Sequence, residues 1–223
     1  MGFFSAIGSA IGSVCSAVGS VCSAIGGAVM GAVGAIASVI APYIGVIATV
    51  VQAIAHVLGV ISPEDKPEKL AQAAEQLGKK PEDFNSISEY IQALKDAIKN
   101  GDVSIKEELS PEESLKYTLL GTGILIKGLD EKLEMQTSGE FWASVGKANV
   151  EPKEVLSILE NVKKSENIDT KDVADYLDNK EVSANTTRAE VGDLLETSIK
   201  EAKPNLSKEE IEVRLDELLK EKE

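Results

Sequence analysis

Charge is what the first part of this chain lacks. No Asp, Glu, Lys or Arg precedes Glu64, so all 37 acidic and all 23 basic side chains fall in the last 160 residues. Leucine is missing as well, until Leu58. Membrane anchors are commonly leucine-rich and carry a basic flank that sets their orientation. Neither feature is present, and the border PEDKPEKLAQ mixes charges of both signs. The start MGFFSAIG has no basic n-region, and the apolar stretch is several times longer than an h-region, which argues against a secretory signal. Ala6 stands where a myristoylation signal has Ser or Thr.

Other scarcities narrow the functional classes. The two cysteines, Cys15 and Cys22, both lie in the apolar part, so no disulfide framework holds the charged part. Seven residues along a helix span about 10 Å, too far for a bridge within it. His56 is the one histidine, and no HExxH, CxxC or GxSxG pattern occurs. The expectation is a protein that is not an enzyme, with no cofactor and no metal. The formal net charge is −14, and no basic stripe interrupts it. Nucleic acid is therefore not an expected partner. An anionic membrane would not be reached by charge either, so any membrane attraction comes from the apolar segment.

That segment, residues 1–62, is almost wholly Ala, Gly, Ser, Val and Ile. About 20 apolar residues span a bilayer. Residues 43–61, YIGVIATVVQAIAHVLGVI, fit one span, and residues 24–41 fit another. Residues 3–23 are a weaker candidate, because six serines dilute them. Pro42 separates the two strong spans and is expected to kink or break the helix. A straight helix of 60 residues would run about 90 Å, so the segment is expected to fold back, with Gly26-Gly27 and Pro42 as candidate bends.

Small residues recur at helical spacing. GSVCSAV at 12–18 is followed directly by GSVCSAI at 19–25. Gly8, Gly12, Ser16 and Ser20 fall four apart, as do Gly19, Ser23, Gly27 and Gly31. Such rows form a groove on one side of a helix and let two backbones approach closely in lipid. Ile7, Ile11, Val14, Val18, Val21 and Ile25 form the opposite ridge. An oligomer of such helices could enclose a hydroxyl-lined path without any charge. Thr49, Gln52 and His56 add a polar stripe to the 43–61 span. As an ionisable residue within a candidate span, His56 also reads as a pore-lining or pH-sensing group.

The last 160 residues read as helices with start signals. Ser86 and Glu89 form a capping-box pattern before a segment that stops at Asn100-Gly101. Ser110-Pro111-Glu112-Glu113 and Ser207 with Glu210 open two more, and another ends at Pro204. GTGILIKG at 121–128 has glycines that match no phosphate-binding loop. The apolar run 119–126 instead suggests a central helix, or a face that covers the N-terminal segment. The whole is expected to be all-α: an apolar segment of two or three helices over 1–62, then an acidic bundle of six to eight amphipathic helices over 63–223.

A charge-free, glycine-zippered helical segment joined to a soluble helical part resembles the small pore-forming antibacterial effectors of the type VI secretion system. The likeness rests on layout and on the composition of residues 1–62, and no motif carries it. It implies a protein that is soluble before delivery, is injected from the producing bacterium by a secretion carrier, and inserts in the inner membrane of the target cell. It further implies self-association in that membrane, loss of ion gradients, and a cognate immunity protein. Glu64, Asp65 and Glu68, directly after the last span, would stand at the pore mouth and favour cations. The alternative is a membrane anchor or particle-assembly protein whose acidic helices bind a partner.

Overall fold

The computed structural model describes residues 28–79 and 81–220, with the side chains of residues 28–42, Glu82 and Glu112 outside the description. Among the described residues there are nine α-helices, one 3-10 turn at Pro81–Asp83 and no strand. They are α1 Ala28–Val57, α2 Pro67–Leu77, α3 Ile87–Asn100, α4 Pro111–Leu133, α5 Gly139–Ala148, α6 Pro152–Lys164, α7 Thr170–Leu177, α8 Arg188–Ala202 and α9 Lys208–Leu219. The expected all-α class holds, with eight of the helices following residue 63.

The caps explain the boundaries. Full capping boxes open α4 at Ser110, α7 at Asp169, α8 at Thr187 and α9 at Ser207, and at the start of α6 the Glu151 N–H donates to the Glu154 carboxylate at 3.0 Å. At α3 the box is only half made. Ser86 accepts from the Glu89 N–H, but Glu89 turns its own carboxylate to the backbone and side chain of Asn85. Two other free N–H groups of the first turn are met from another helix: Glu131 of α4 accepts from Ile87 and Ser88 at 2.6 and 3.2 Å. A tertiary cap thus ties α3 to α4.

The composition boundary near Ser62 is not a packing boundary. Ile44, Ile47, Val50, Val51, Ile54, Ala55, Val60 and Ile61 lie in one hydrophobic cluster with residues from all eight later helices. Those from Ile44 to Ala55 fall three and four apart on one side of α1, and Val60 and Ile61 follow in the turn after it. The helix packs on α4, α5 and α6, while α2 lies between α3 and α4. The run 119–126 of α4 is buried throughout and meets both α1 and α2. It is the central helix and the cover at once.

Gly8, Gly12, Ser16, Gly19, Ser20, Ser23, Gly26 and Gly27 lie outside the described residues, and Gly31 falls in the first turn of α1. The helix is continuous from Ala28 through Pro42 to Val57, so a break at Pro42 does not occur. The ring removes one backbone bond, while those of the flanking turns remain.

Candidate functional site

The feature that distinguishes this bundle is the charge-free helix α1 and the way its buried face is seated on α4, α5 and α6. Ile47 and Val51 are 0% exposed and Ile54 is 1% exposed. They rest against a surface built for close approach. A Cβ at Gly146 of α5 would stand 2.6 Å from the Ile47 Cγ1 and 3.1 Å from the Tyr43 Cβ. A Cβ at Gly128 of α4 would stand 2.7 Å from the Val60 Cγ1. A Cβ at Gly121 would meet the Pro67 carbonyl oxygen at 2.0 Å. The glycines of GTGILIKG therefore serve helix packing: Gly121 and Gly128, two turns apart on one face, seat the connection from α1 to α2 at Pro67 and Val60.

The polar contacts of α1 are few. Among the described residues, one side-chain hydrogen bond links it to the rest of the chain, from Gln52 Nε2 to the Asp65 carbonyl at 3.1 Å. Thr49 Oγ1 donates back to Gly45 of its own helix at 2.7 Å. His56 is exposed, and so is Val57, at 69%. Thr49, Gln52 and His56 thus line the outward side of α1, opposite its buried face.

The turn after α1 carries the acidic residues expected at a pore mouth. Gly59, at φ +69°, stops the helix, with the Val60 N–H donating to the Ala55 carbonyl at 2.8 Å. Glu64 is exposed. Asp65 is half-buried: its Oδ2 accepts from the Ser62 N–H at 2.7 Å and pairs with Lys95 Nζ of α3 at 2.9 Å. Glu68 accepts from Thr118 Oγ1 at 2.9 Å. Glu64 and Asp65 therefore lie in the turn and Glu68 in the first turn of α2, with Asp65 and Glu68 engaged by neighbouring helices.

The charged part has its own polar supports. Glu154 of α6 is 0% exposed and binds Arg214 through both oxygens at 2.9 and 2.8 Å, with Lys203 at 3.1 Å. Burial opposes its charge, but the Arg214 hydrogen bonds, the Glu151 N–H and Lys203 outweigh that and hold its pKa below the ordinary value. On the other side of the bundle, burial opposes the Glu75 carboxylate. Hydrogen bonds from Lys116 and Tyr117, with the Lys116 charge, keep it ionised and its pKa low. The Gln72 and Gln76 side chains each exchange two bonds with the backbone of Lys106 and Ser104, which fastens α2 to the segment before α4.

Among the described residues no group of three or more His, Cys, Asp or Glu is placed to hold a metal ion. Nor is any helix long and apolar enough to cross a membrane; in α1 that covers the half from Tyr43 on, whose side chains are described. Comparison with protein-family models, curated proteins and solved structures finds no significant match. The functional reading rests on the chain's own residues.

Proposed function

We propose that the chain is an antibacterial pore-forming toxin that stores part of its membrane segment as a helix packed by one face into the core of an acidic bundle. The observation that supports this reading is the bonding of α1. A charge-free helix sits in the core through apolar contact, and Gln52 supplies its one described side-chain bond to other elements. In water, burial of Ile47, Val51 and Ile54 holds it by about 1.5–3 kcal/mol each. In lipid that hold vanishes, because acyl chains accept the same surface equally well. Among the described side chains of α1 release unmakes the Gln52 bond alone, and it bares an apolar seat, which draws the remaining helices onto the bilayer.

In the inserted state, copies associate through the Gly and Ser rows upstream, and Thr49, Gln52 and His56 turn to a water-filled path. Glu64, Asp65 and Glu68 stand at its mouth and favour cations. Delivery by a secretion carrier, the inner membrane of a competing cell as target, and an immunity protein in the producer belong to the same reading. The test is single-channel current of the purified chain in planar bilayers. Discrete, cation-biased steps are expected, with the bias reversed by Glu64→Lys, Asp65→Lys and Glu68→Lys together. A folded chain that gives no current overturns the reading.

One observation favours a second reading. Residues 44–61 are built into the core of the bundle. A membrane anchor made only of upstream residues, with the bundle intact as a partner-binding domain, uses that arrangement without opening it. Such a protein is found in membranes constitutively and is tolerated by the periplasm, whereas a toxin sent there kills.

A further inference from the structure

The hydrogen bonds around the α1–α2 turn converge on one residue. Asp65 Oδ2 accepts from the Ser62 N–H at 2.7 Å and from Lys95 Nζ at 2.9 Å, and the Asp65 carbonyl accepts from Gln52 of α1 at 3.1 Å. The Asp65 N–H closes the turn on the Ser62 carbonyl at 3.0 Å, and Lys95 Nζ also reaches Ser62 Oγ at 3.5 Å. Asp65 thus joins three elements: α1 through Gln52, the turn through Ser62, and α3 through Lys95. The ion pair is largely sheltered, with side-chain exposures of 16% for Asp65 and 21% for Lys95, so solvent screens it less than a surface pair.

We infer that Asp65 and Lys95 form an autoinhibitory catch that fastens the C-terminal end of α1 to α3 and sets how readily the stored helix leaves the bundle. The inference rests on the proposed function for its biological sense, and its structural part is separable. Nothing else polar holds residues 43–57 among the described side chains, so the polar hold on this half of α1 is concentrated at this turn. The polar ties of α2 lie elsewhere, on the segment before α4 and on α4 itself. Opening the catch therefore loosens α1 without first dismantling α2. Apolar contact is indifferent to whether it is made with protein or lipid, whereas the ion pair is made only in the docked state. This asymmetry lets one pair act as the switch.

Hydrogen exchange on the full chain tests the catch, with Asp65→Asn and Lys95→Gln beside wild type. Asparagine keeps an acceptor for the Ser62 N–H and removes the ion pair, so the turn itself survives. Exchange of the amides at 51–61 is expected to rise about ten-fold or more in both variants, the scale of one lost charge-assisted bond. Amides of α6 and α8, remote from the turn, are expected to stay near wild type. Arg214→Met, which weakens the bundle at α9, serves as the control and should not raise the 51–61 amides selectively. No rise at 51–61, or an equal rise over α6 and α8, overturns the inference. Dye release from phosphatidylcholine vesicles is read in parallel. Faster release by both variants joins the catch to the membrane reading. Selective exchange with no release from any form leaves the catch standing and overturns the toxin reading.

Discussion

Glu154 shows what single residues contribute to this bundle. It is a fully buried carboxylate held by Arg214 and Lys203, and removing one partner leaves a charge that water cannot reach. Arg214→Met is expected to destabilise the chain by about 3 kcal/mol, read as a lower denaturation midpoint from the fluorescence of the lone Trp142. An unchanged midpoint would show that Lys203 alone satisfies the acid. Acid sensitivity follows from the same group of residues. Glu75, Glu131 and Glu154 have pKa values held below 4.5, each because hydrogen bonds to the carboxylate outweigh burial. The stability they confer is complete above that value and is lost as pH falls through their folded pKa values. Asp130 acts the other way. Burial raises its pKa despite the bonds from Thr137, so its protonation on acidification returns some stability. Carboxylates with lowered values, Asp172 among them, outnumber Asp130, which predicts a urea midpoint that drops steadily as pH is lowered from 4.5. A flat midpoint down to about pH 3 would contradict the assignment of these groups.

At the scale of elements, packing is decided by three glycines. Gly146→Ala places a methyl group 2.6 Å from the Ile47 side chain, which has to shift. It is expected to cost about 1–3 kcal/mol and to speed dye release from vesicles, because the strain falls on α1. Gly121→Ala meets backbone at 2.0 Å instead and is expected to be the more damaging of the two in thermal unfolding. A milder effect at Gly121 than at Gly146 would show that α2 is free to slide. These roles were not legible in the sequence. GTGILIKG reads as a helical run whose glycines match no phosphate loop, but which surface a glycine meets depends on long-range packing. The helix starts were legible, since Ser110, Ser207 and the stop at Gly101 act locally. Helix α5 was not, although it carries the buried Phe141 and Trp142. Its ten residues hold two glycines, and its register is set by the seat it forms for α1. The Ser86 box is half made because Glu89 turns to Asn85, and the bonds that Glu131 of a distant helix adds to the same turn were not legible either.

At the scale of the whole molecule, two compositions meet in one core. The apolar segment and the acidic helices looked like separate parts, because charge begins abruptly at Glu64. Local composition says where charge starts; it does not say where packing stops. An amphipathic bundle has an apolar interior of its own, and the last charge-free helix fills it. This account makes the acidic helices a cover for residues 44–61 and makes departure of that stretch the step that arms the protein. Positions 47 and 146 meet across the α1–α5 contact, where a Gly146 Cβ would lie 2.6 Å from Ile47 Cγ1, so Ile47→Cys with Gly146→Cys is the pair to cross-link α1 to α5, with closure checked by loss of free thiol. The decisive measurement is planar-bilayer current of that double variant, with Cys15 and Cys22 replaced by Ser, before and after reduction. The account predicts silence while the bridge is closed and discrete channel steps once it is reduced. Equal current in both states would contradict it, because the pore would then form with α1 still seated in the bundle.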